Sequence, residues 1–123
     1  MNSYDPETAP DAQEWLAHDH SDRIHFVEES HRRGRNRHPQ PKLHSLITVI
    51  VENQIAEALE PVVRAVARLT AEGLSRHEAV HALGSVVITH LHDVVHGQVP
   101  AIASKATYLA AVDELTKRKW LGR

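Results

Sequence analysis

Between Pro41 and Pro61 the chain carries Leu43, Leu46, Ile47, Val49, Ile50, Val51, Ile55 and Leu59. At about 100° per residue these positions put apolar side chains on almost every side of a helix over 42–60. Such a helix has no face to give to water, which predicts a central element wrapped by others. The helical period recurs on both flanks. Asp11 is placed to cap a short helix carrying Trp15 and Leu16, and a second helix is expected from near Ser21 through Ile24, Val27 and His31 to Gly34. Arg35, Asn36, Arg37, His38, Pro39, Gln40 and Pro41 then read as an extended basic loop.

Beyond the central helix, Pro61 suits a first helical turn, and Val62, Val63, Val66 and Leu69 form an apolar stripe that Gly73 ends. Ser75, Arg76, His77 and Glu78 have the form of a capping box opening a helix that runs to Gly97, with Val80, Leu83, Val87, Leu91 and Val94 inward. After Val99 and Pro100, a last helix is expected from Ser104 to about Trp120, burying Tyr108, Leu109, Val112 and Leu115. No strand alternation or internal repeat competes. The expectation is an all-α, single-domain, compact bundle of about five helices built around 42–60 and 76–96. A polar N-terminal segment, 1–10, precedes the helical domain, 11–123.

A chain of 123 residues supports one core, and the absence of cysteine removes disulfides, thiolate metal sites and cysteine nucleophiles. The start has no signal-peptide pattern, and the longest apolar stretch, 46–51, is far too short to span a bilayer. A cytoplasmic protein without membrane association is expected. With 14 basic and 16 acidic residues the net charge of −2 gives no global attraction to nucleic acid. The local basic runs, Arg32 to His38 and Lys117 to Arg123, lack aromatic interleaving or a recognition-helix signature, and read as solvated surface. The surplus of apolar surface on the central helix, at Leu46, Val49 and Ile50, predicts a homodimer.

Eleven histidines are the compositional outlier, and any metal must sit on them and on carboxylates. His77, Glu78, Ala79, Val80 and His81 spell His-Glu-x-x-His, which sets two imidazoles one turn apart with Glu78 as candidate general base of a metallohydrolase. No third histidine follows at the spacing of the extended motif, and the capping box claims the same Glu78 carboxylate. Glu28 and His31 form a Glu-x-x-His pair on an inward stripe, Glu78 and His81 repeat that spacing, and His44, Thr48 and Glu52 share one face of the central helix. Helical-bundle carboxylate sites use such parts. Glu28, His31, His44, Glu52, His77 and His81 are therefore the candidate metal ligands. Zinc suits a His-rich set, and iron or manganese a set with more carboxylates. In the alternative reading these are structural polar pairs of a non-catalytic interaction module.

The strings Asp11 to Leu16, Arg23 to Arg33, Val51 to Ala56 and Glu72 to Ser85 together resemble a family of small bacterial all-helical proteins of unknown function. The family's central helix resembles His-x-x-x-His-x-x-x-Glu, where this chain has His44, Thr48 and Glu52. The resemblance implies a shared helical fold and no established activity.

Overall fold

The computed structural model describes residues 1–34 and 40–122. The expected basic loop, with Arg35, Arg37 and His38, and the terminal Arg123 lie outside the described residues. The rest forms α1 (Ala12–Ala17), α2 (His20–Arg33), α3 (Pro41–Ala56), α4 (Glu60–Ala71), α5 (Arg76–Val95), α6 (Ser104–Glu114) and α7 (Lys117–Leu121), with a 3-10 turn, Ala101–Ala103, leading into α6. Among the described residues there is no strand, and no helix is long and apolar enough to cross a membrane.

Helix α3 occupies the central place that its pattern predicts, in contact with α1, α2, α4 and α5. Its apolar residues divide between two cores. Ile47 and Val51 join Val62, Ala65, Leu69, Val80, Leu83, Val87, Tyr108 and Val112 on one side. Val49 joins Tyr4, Trp15 and Val27 on the other. Of the three residues behind the dimer expectation, Val49 is fully buried within one chain, while Leu46 and Ile50 are half-buried. Gly84 lets α5 cross close to α3, since a Cβ there would stand 3.0 Å from Ile47 Cγ2.

Most helix ends follow the sequence signals. The Asp11 carboxylate accepts from the Glu14 amide, Asp19 caps α2 so that the helix begins at His20, one residue before the expected start, and Gly73 closes α4 with a left-handed φ of 106°. Two ends differ from expectation. Helix α3 stops at Ala56, where Ala58 takes a φ of 58° so that the Leu59 amide can reach the Gln54 carbonyl at 2.9 Å. Glycine would be the usual residue in that conformation, so the sequence carries no stop signal there. The expected single helix from Ser104 to Trp120 is two. Arg68 donates to the Val112 and Leu115 carbonyls at 2.9 Å each, and the Lys117 amide donates to Glu72 at 2.9 Å. These long-range partners take up the backbone groups that a break exposes, and Thr116 caps α7.

The distal part of α5 is a further correction. Val80, Leu83 and Val87 are buried as expected, but Leu91 and Val94, assigned to the same inward stripe, are exposed. The helix there runs beyond the core. The N-terminal segment, by contrast, is folded onto the body, with Tyr4 only 2% exposed.

Candidate metal centre

Three histidines from three helices meet beside the crossing of α3 and α5. His31 stands in the last turn of α2, His44 in the first turn of α3 and His81 in the second turn of α5. The His31 and His44 ring centroids are 4.4 Å apart at 45°, and those of His44 and His81 are 5.0 Å apart at 63°. His31 Nδ1 lies 3.3 Å from Ser45 Oγ, and the His81 ring approaches Trp120 at 6.1 Å. His77 joins them in lining a small cavity of about 10 Å³, closed on one side by Tyr4 and Pro6 and on another by Thr48 and Val80. His44 and His81 also border an apolar groove of about 130 Å³ between α3 and α5, with Leu43, Ile47 and Ile88 in its walls. His81 is exposed and the other three are half-buried, so the cluster has access to water.

Tetrahedral zinc with Zn–N bonds of about 2.0–2.1 Å places the ring centres of its histidine ligands roughly 5 Å apart. The observed spacing matches that scale. Among the described residues, however, no group of three or more His, Asp or Glu side chains stands ready to hold a metal ion. The rings meet tilted and edge-on, so binding requires them to turn about their side-chain torsions.

Glu52 and Glu78 are engaged elsewhere. Glu52, 1% exposed, accepts from Nη1 and Nη2 of Arg76 at 2.8 Å each and from the hydroxyl of Tyr4. Burial first, and the Glu52 charge second, hold the Tyr4 hydroxyl well above the usual phenol range. Burial opposes the Arg76 charge, but hydrogen bonding and attraction to Glu52 outweigh it and raise its pKa. Glu78 accepts from the Ser75 amide at 2.9 Å while Ser75 Oγ accepts from the Glu78 amide at 3.1 Å, the complete capping box. The backbone hydrogen bond from Ser75 is the main cause that lowers the Glu78 pKa. Glu28 is half-buried one turn before His31 and is not among the residues lining the cavity.

Sequence reasoning missed what holds this region together. Glu52, Asn53 and Gln54 are consecutive, and each receives hydrogen bonds from different elements. Asn53 Oδ1 accepts from Trp15 Nε1 at 2.9 Å and from Arg23 Nη1 at 3.0 Å, and Gln54 Oε1 accepts from the Tyr108 hydroxyl at 2.7 Å. The Pro6 carbonyl and the Glu7 carboxylate complete the N-terminal strap by accepting from Arg76 and from the His77 amide. The available signal was three polar residues in a row, Glu52 to Gln54, directly after the apolar run Val49 to Val51, because buried polar groups demand partners. No protein-family model, curated protein or solved structure matches the chain.

Proposed function

We propose that the protein binds a transition-metal ion, zinc by preference, through His31, His44 and His81, with His77 beside them on the cavity wall. The observation that carries this reading is the meeting of three imidazoles from three helices at ring spacings of 4.4 and 5.0 Å. An all-imidazole set favours zinc over iron or manganese, which the loss of Glu28 and Glu52 from the set disfavours further. Three protein ligands leave a fourth position for water or for a small ligand entering along the apolar groove. The hydrolase reading of the His-Glu-x-x-His string is weaker, because Glu78 is committed to capping α5.

A second reading, an interaction module whose polar residues are structural, draws support from the full engagement of Glu52 and Glu78. Metal analysis of untagged protein, offered zinc and then washed, separates the two. His31→Ala, His44→Ala and His81→Ala are each expected to lose about one equivalent of tightly held zinc, while Glu78→Gln keeps it. Equal zinc content in all three histidine variants and the parent chain overturns the proposal, and so does a parent chain that binds none when zinc is offered.

A further inference from the structure

The small cavity at the histidine cluster and the apolar groove between α3 and α5 share His44, Thr48, Val80 and His81 as lining residues, so the two spaces adjoin at the histidines. Away from them the groove is walled by Leu43, Ile47, Gly84 and Ile88. Its two hydroxyls are committed to their own helices. Thr48 Oγ1 donates to the His44 carbonyl at 2.9 Å, and Ser85 Oγ donates to the Ala82 carbonyl at 2.6 Å. Neither proton is left for a guest, and Gln40 is the one further polar residue lining the groove among the described residues.

A guest with polar groups along its length would lose their water there without gaining hydrogen bonds, which costs free energy, whereas hydrocarbon gains from burial. The groove therefore selects an apolar tail. Its volume of about 130 Å³ lies well below the roughly 300–1,000 Å³ of sites for drug-sized ligands. The tail that fits is short and aliphatic.

The histidines decide the head of the same molecule. Three neutral imidazoles leave the charge of a bound dication uncompensated, and an anionic oxygen both supplies that charge and is an ordinary zinc ligand. A carboxylic acid, with a pKa of about 4, is already ionised at neutral pH, whereas a thiol, at about 8.5, is mostly not. Resting on the zinc reading above, we propose that the ligand of this site is a short aliphatic carboxylate. Its carboxylate takes the fourth position on zinc held by His31, His44 and His81, and its hydrocarbon tail lies in the groove against Leu43, Ile47 and Ile88.

Calorimetric titration of the zinc-loaded chain with acetate, butyrate and hexanoate tests the proposal, with zinc content measured on the same sample. Each methylene that enters the groove should tighten binding about two- to fourfold, so hexanoate should bind at least about tenfold more tightly than acetate. Hexanol, which has the tail without the charge, should bind far more weakly than hexanoate, and the metal-free chain should bind neither. The Leu43→Ser/Ile88→Ser variant changes two side chains that are 41% and 45% exposed. It should keep its zinc and lose the preference for longer tails, with far-ultraviolet circular dichroism checking that the helices are retained. Equal affinity for acetate and hexanoate, equal affinity for hexanol and hexanoate, or undiminished hexanoate binding by the metal-free chain overturns this proposal while the zinc reading stands on its own metal analysis. A parent chain that holds no zinc overturns both.

Discussion

Glu52 is the residue whose role differs most from its appearance in the sequence. A buried carboxylate beside histidines invites a ligand assignment, yet bidentate Arg76 and the Tyr4 hydroxyl occupy both of its oxygens. The group ties three separated parts of the chain, the N-terminal strap, α3 and α5, at one point. Removing one partner of such a pair leaves a buried charge uncompensated, which typically costs about 3–5 kcal/mol. Glu52→Ala should therefore lower stability by an amount of that order in urea unfolding. Adding Arg76→Met should recover part of the loss, because the orphaned charge goes with it. Additive losses would mean that the pair is not coupled as the geometry implies.

At the scale of elements, α5 begins where its sequence says it does. Ser75 and Glu78 bond reciprocally, and the Glu7 carboxylate adds a second acceptor at the His77 amide. Ser75→Ala is expected to lower stability by about 0.5–2 kcal/mol. The folded state holds the Glu78 pKa below its ordinary value, so its contribution is present above the ordinary carboxylate range and fades as pH falls through the lowered value. The deficit of a Glu78→Ala variant, which removes the titrating carboxylate while leaving the Ser75 hydroxyl in place, should accordingly shrink in acid when measured by urea unfolding. A deficit unchanged from neutral pH to well below the carboxylate range would show that the charge on Glu78 contributes nothing.

The same scale shows what was legible beforehand. Caps at Asp11 and Ser75, the stops at Gly73 and Gly97 and the central position of α3 are local signals, and the structure realises them. The stop at Ala58 and the break between α6 and α7 are fixed by backbone strain and by Arg68 and Glu72, which lie far away in sequence. Periodicity could not reveal them. In the candidate site, His31, His44 and His81 were legible as inward or motif positions. That they meet, and that Glu52 and Glu78 are taken by other partners, depends on tertiary contacts with Tyr4 and Arg76 and on which of two roles Glu78 fills.

In the whole molecule, a two-sided core around α3 carries a histidine cluster at its edge. Metal bound there links α2, α3 and α5, elements that the unfolded chain leaves apart, so binding should stabilise the fold by mass action. At 100 times the dissociation constant the gain is about 2.7 kcal/mol, a rise in melting temperature on the order of 10 °C for a chain of this size. Thermal unfolding of the full chain, with zinc and with chelator, reads that stabilisation directly. A zinc-dependent rise that disappears when His44→Ala is added is the predicted result. Identical melting in zinc and chelator, or a rise that survives the loss of His44, would contradict the account.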